Sequence, residues 1–133
     1  MKKLIELSRS IDNKVALITG ATSGMGLATA KLFSDQDAQV IVTDLNEDKI
    51  NEVVEEISSY GKKCYGIKLD VTNLDEIKSA VAETVKLFGG IDILINNAGI
   101  SIPTLINDEN YEEYWDKTFN VLLKAQVQLI RET

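Results

Sequence analysis

The 133-residue sequence predicts an α/β fold built on a doubly wound parallel sheet of about four strands. Three observations predict it. Short runs rich in Val and Ile alternate with segments of helical periodicity. Each intervening segment is long enough for a crossover helix, which makes the strands parallel. The first run ends on a glycine cluster that opens the next helix.

The strands are expected at Val15 to Thr19, Val40 to Thr43, Lys63 to Leu69 and Ile91 to Ile95. Continuous apolar runs of this length suit a sheet covered on both faces. A first, Ala-rich helix is expected from Gly24 to Ser34. In the second, Ile50, Val53, Val54 and Ile57 fall at i, i+3, i+4 and i+7 and share one face. Leu74, Ile77, Val81, Val85 and Phe88 make the face of a third, which Gly89 and Gly90 stop. Thr72 with Asp75 three residues later resembles a start signal for it. A longer helix from Tyr111 to about Ile130 is expected to carry Trp115, Phe119, Leu122 and Leu129 on or near one side. Residues 1–14 read as a polar lead-in, and Ser101 to Asn110 as the least regular internal loop. One domain spanning residues 1–133 is expected.

Composition bounds the chemistry. A net charge of −7 argues against a broad basic surface for nucleic acid. The absence of histidine excludes Ser-His-Asp and Cys-His mechanisms within the chain. Cys64, the only cysteine, can form neither an internal disulfide nor a thiolate zinc site. The start, Met1 to Leu7, loses its apolar run at Glu6, so no secretory signal is expected. No stretch approaches the ~20 apolar residues of a membrane helix. The cytoplasm is the default compartment.

The strongest motif is Thr19, Gly20, Ala21, Thr22, Ser23, Gly24, Met25 and Gly26, placed between a strand and a helix. Glycines here allow a tight turn, close approach of backbone to a pyrophosphate, and close helix–strand packing. The amides and the helix dipole then favour phosphate charge. The spacing is G-x3-G-x-G, and no lysine follows to make a Walker loop. A glycine-rich turn without a ligand is the competing reading. Asp44 sits just past the second strand, 18 residues after Gly26, with Leu45 beside it. A carboxylate there can accept from adenosine ribose hydroxyls and would repel a 2′-phosphate, favouring NAD over NADP. Capping of the helix near Glu47 is the alternative, although Asn46 could serve as well.

With these residues the chain resembles the short-chain dehydrogenase/reductase family, classical type, in its N-terminal half. Asp70 and Val71 close the third strand where the family holds adenine. Asn96, Asn97, Ala98 and Gly99 match its NNAG motif. The resemblance implies that Asn96 stabilises the sheet while Asn97, Ala98 and Gly99 back the cofactor. Ile91 with Asp92, and Trp115 with Asp116, also fit. It further implies a Rossmann-like sheet in the order 3-2-1-4, with the adenosine side of the cofactor site present.

Two departures matter. The family's Tyr-x-x-x-Lys pair is missing: four residues after Tyr60, Tyr65, Tyr111 and Tyr114 stand Cys64, Leu69, Trp115 and Thr118. The family places that pair after a fifth strand, and this sequence ends in the preceding helix. Second, the position of the family's helical Asn falls on Leu122, while Asn120 is expected to face solvent or make a local polar contact. No catalytic and no metal-ligating residue is therefore assigned. The function expected is that of an NAD(P)-dependent alcohol/ketone oxidoreductase, present as its cofactor-binding part. A small alcohol or ketone would be substrate only in a longer form. The alternative is a non-enzymatic NAD sensor or interaction domain. Self-association is expected, because the fourth strand would be an apolar edge.

Overall fold

The computed structural model describes residues 9–133. The expectations placed on Met1 to Leu7, and on most of the lead-in, lie outside the described residues.

Four parallel strands form one sheet in the order β3-β2-β1-β4, as expected. They are β1 (Val15–Thr19), β2 (Gln39–Asp44), β3 (Cys64–Lys68) and β4 (Ile93–Ile95). The helices between them are α1 (Gly24–Asp35), α2 (Glu47–Ser59) and α3 (Leu74–Phe88). After β4 come α4 (Tyr111–Phe119), a π-helical turn (Asn120–Lys124) and α5 (Ala125–Glu132).

Strand β1 is buried along its whole length because helices cover both faces. Side-chain alternation then divides its residues between two cores. Ile18, Val40 and Val42 pack with Ala30 of α1 and with Ile50, Val53 and Ile57 of α2. Val15, Leu17 and Ile41 pack on the other face with Ile77 and Ala80 of α3 and with Ala125 and Leu129 of α5. The register pairs Leu17 with Ile41 and with Leu94, which keeps like-facing residues together.

Strand β4 is shorter than its apolar run. Asp92 is turned to another task, since its carboxylate accepts the Val15 amide at 2.9 Å and lies 3.5 Å from Lys14 Nζ. The Val15 hydrogen bond holds the Asp92 carboxyl below its ordinary value of 3.8, against the opposing effect of desolvation and with help from Lys14. Among the described residues β4 pairs with β1 alone, so its other edge is open. Cys64, at the start of β3, is partly buried, which pushes its thiol up to about 12 and leaves it protonated and unreactive near neutrality.

Two local expectations are corrected. Helix α3 is capped by Asn73 and not Thr72: Asn73 Oδ1 accepts the amides of Asp75 at 3.0 Å and Glu76 at 3.3 Å. Thr72 is instead drawn back to Asp70, whose Oδ1 accepts its amide at 2.9 Å and its hydroxyl at 2.7 Å. The last helix is also not one uniform α-helix. Its π turn bonds i to i+5 and rotates the residues beyond it out of phase with those before. Leu129 is therefore buried, whereas Trp115, Phe119 and Leu122 stay largely exposed. Trp115 and Phe119 stack on each other, with ring centroids 4.7 Å apart.

Candidate functional site

The carboxyl ends of the strands open onto a cleft of about 300 Å³. It lies where the chain order reverses, between β1 and β4, the usual ligand position of doubly wound sheets. Gly20 and Ser23 line it from the loop after β1. Asp44 and Leu45 do so from the end of β2, and Asp70 and Val71 from beyond β3. Asn97, Ala98 and Gly99 line it from beyond β4. Sequence reasoning missed Leu69, Ile100 and Val121, which also line it; these are apolar and carry no motif.

Thr19, Gly24, Met25 and Gly26 do not line the cleft. Thr19 is buried and works as a tie: its hydroxyl accepts the amides of Asn97 at 3.1 Å and Ala98 at 3.0 Å, and donates to the Ile95 carbonyl at 3.3 Å. Gly26 is buried under the loop, and a methyl group on it would stand 2.2 Å from the Gly20 carbonyl oxygen. Gly20 has φ +62°, and its missing side chain would meet the Ala98 Cα at 2.9 Å. Met25 is exposed on the first turn of α1.

The side-chain bonds from the NNAG segment across to β1 and the glycine loop come from Asn97 and not from Asn96. Asn97 Nδ2 donates to the carbonyls of Thr19 at 2.9 Å and Gly20 at 3.0 Å. Asn96 Oδ1 is buried with no partner in the structure. Asn97 therefore holds the glycine loop against β4 while exposing part of itself to the cleft.

Helix α1 differs from its neighbours at its start. Asn46 caps α2 by accepting the Lys49 amide at 3.0 Å, and α3 has Asn73; both helices carry acidic residues in the first turn. Ser23, at the start of α1, makes no capping bond, and the first turn holds no acidic residue. The leading amides of α1 are thus left for another acceptor, and the positive end of the helix is not neutralised.

Because Asn46 caps α2, Asp44 is not its cap. Asp44 Oδ2 accepts the Thr22 hydroxyl at 2.7 Å and the Thr22 amide at 3.3 Å, while Oδ1 accepts the Leu45 amide at 2.8 Å. Asn120 is exposed, as expected. Leu122 lies against Gly99, where an added methyl would approach its Cδ2 to 3.2 Å. No phenol is activated for proton transfer at Tyr65: its hydroxyl donates to Glu83 at 3.0 Å, and that bond raises its pKa.

Four parallel strands in this order, with a glycine loop opening α1 beneath a cleft, define a Rossmann-like α/β domain. The chain belongs to the short chain dehydrogenase family, whose sequence pattern matches residues 14–133. It is similar to the 3-oxoacyl-(acyl-carrier-protein) reductase FabG of Thermotoga maritima, at 41% identity over 115 residues, covering 86% of this chain and 46% of that protein. Against the NAD-dependent glycerol dehydrogenase of Listeria innocua the identity is 40% over 116 residues, covering 87% of this chain and 44% of that one. The crystal structure of a short chain dehydrogenase from Mycobacterium smegmatis superposes with a TM-score of 0.87 at 30% identity, over 92% of this chain and 52% of that one. The chain thus spans about half the length of the relatives it matches. Among the described residues no helix is long and apolar enough to cross a membrane.

Proposed function

We propose that this chain forms the adenosine side of the dinucleotide site of an NAD(P)-dependent oxidoreductase that interconverts an alcohol and a ketone, with NAD preferred to NADP. The observation that carries the reading is the uncapped start of α1, set at the rim of a cleft that Asp44 also lines. The start of α1, which meets the cleft at Ser23, would face the diphosphate, whose charge the helix end favours, while Gly24, Met25 and Gly26 shape that turn from behind. Asp44 would accept a ribose hydroxyl and Leu45 would lie over the sugar edge. Asp70 and Val71 would flank the adenine. Gly20, with Asn97, Ala98 and Gly99, would form the floor, which Thr19 ties together from beneath. A cleft of about 300 Å³ is at the lower end of the ~300–1,000 Å³ of small-molecule sites and suits part of a dinucleotide.

The bound dinucleotide would supply the hydride acceptor or donor; the residues present bind and orient, and none moves a proton. The 133-residue chain by itself therefore turns nothing over. Calorimetric titration tests the reading. NAD should bind weakly and NADP more weakly still, because its 2′-phosphate would meet the Asp44 carboxylate. Equal binding of both would remove Asp44 from the discrimination, and no binding of either would overturn the site.

The chain is also proposed to self-associate in the cytoplasm. The open edge of β4 and the exposed apolar side chains Trp115, Phe119, Leu123, Val127 and Ile130 support this. Sedimentation should show mass rising with concentration. A constant monomer mass over a hundredfold range would contradict it.

A further inference from the structure

We infer that Thr22 is a positioning residue that fixes the Asp44 carboxylate to accept a ribose hydroxyl. The inference rests on the reading of the cleft as a dinucleotide site and goes beyond it, since Thr22 does not line that cleft.

An aspartate carboxylate turns readily about its last bond, because that torsion is broad. At Asp44 three donors stop it. The Leu45 amide takes Oδ1 at 2.8 Å, and Oδ2 takes both the Thr22 amide, at 3.3 Å, and the Thr22 hydroxyl, at 2.7 Å. The hydroxyl makes the shortest of these contacts. It is also the one contributed by a side chain. A carboxylate offers about four lone-pair sites. With two occupied on Oδ2 and one on Oδ1, the site left open belongs to Oδ1, and Asp44 lines the cleft.

That arrangement presents a single oriented acceptor. A ribose hydroxyl has a proton to give it. A phosphate monoester in the same place has mostly lost its second proton near neutral pH, and adds negative charge to negative charge. Thr22 also stands between Gly20 and Gly24. Its bond to Asp44 therefore joins the phosphate loop to the end of β2 across 22 positions of sequence. Without the hydroxyl, Oδ2 keeps only the longer amide contact and the carboxylate can turn away from the sugar.

The test uses NAD and NADP as probes, titrated by calorimetry or by amide chemical shifts into the 133-residue chain. Thr22→Val keeps the shape and the backbone amide and removes the hydroxyl. It should weaken NAD about three- to tenfold, leave NADP unchanged, and so narrow the ratio between them. Thr22→Ser should restore the wild-type ratio. In an Asp44→Asn background, Thr22→Val should cost nothing further. A purely structural loop bond would instead weaken both dinucleotides equally and lower the melting temperature in step. That result, or an unchanged NAD affinity in Thr22→Val, overturns the inference while leaving the site reading in place. Failure of the wild-type chain to bind either dinucleotide overturns both.

Discussion

Gly26→Ala is expected to destabilise the chain by ~1–3 kcal/mol and to lower NAD affinity at least about tenfold. The added methyl would stand 2.2 Å from the Gly20 carbonyl oxygen, 2.5 Å from Asn97 Nδ2 and 3.0 Å from the Ala21 Cα. Two of these are backbone atoms. The third is already held by its bonds to Thr19 and Gly20, so no flexible side chain can give way. The start of α1 must lift from β1, which displaces the loop whose amides the diphosphate needs. Gly24→Ala is the control. Its methyl would meet nothing within 4 Å, and its cost is confined to the φ of +53°, about 1–2 kcal/mol for a residue other than glycine. Urea unfolding with NAD titration distinguishes the two. Gly24→Ala should keep its packing and Gly26→Ala should not; equal losses of stability and affinity in both would show that the close approach is unimportant.

The second large effect is expected at Asn97. Replacing it with Asp turns a donor aimed at two carbonyl oxygens, 2.9 and 3.0 Å away, into a carboxylate facing them. Each partner left unsatisfied costs about 1–3 kcal/mol, and repulsion adds to that at neutral pH. Such a carboxyl should titrate above its unfolded value, because the neutral form alone can donate. The penalty is then greatest above the raised value, and acidification relieves it as the proton returns. Melting curves should show Asn97→Asp far below wild type at pH 7, with the gap narrowing toward pH 4. Asn97→Leu, which cannot regain a donor, should show a gap that does not close. A pH-independent gap for Asn97→Asp would contradict the assigned geometry.

Much of this was legible in the sequence for physical reasons. Valine and isoleucine runs bounded by polar residues report strands covered on both faces, and β1 is placed as read. Glycines at Gly20 and Gly26 mark close approaches that no other residue permits. What escaped reading depends on side chains meeting across long separations. Thr22 looks like a filler between glycines until Asp44 is folded against it. Asn96 and Asn97 are indistinguishable by type, and only the turn after β4 decides which amide reaches Thr19. Asp92 reads as part of a strand, yet β4 starts only at Ile93, and at Asp92 the side chain accepts the Val15 amide while its own amide donates to the Val15 carbonyl. The π turn has no compositional mark in Asn120 to Lys124, and it lies between the buried Leu129 and the exposed aromatic residues Trp115 and Phe119.

The central claim is that the cleft at the carboxyl ends of the strands binds the adenosine part of NAD. Backbone amide chemical shifts recorded during titration with NAD test it most directly, because they report both binding and place. Shifts should concentrate at Gly20 to Gly26, Asp44 and Leu45, Asp70 and Val71, and Asn97 to Gly99, with α2 and the far ends of the strands unmoved. Perturbations centred elsewhere, or none at millimolar NAD in a folded sample, would contradict the account.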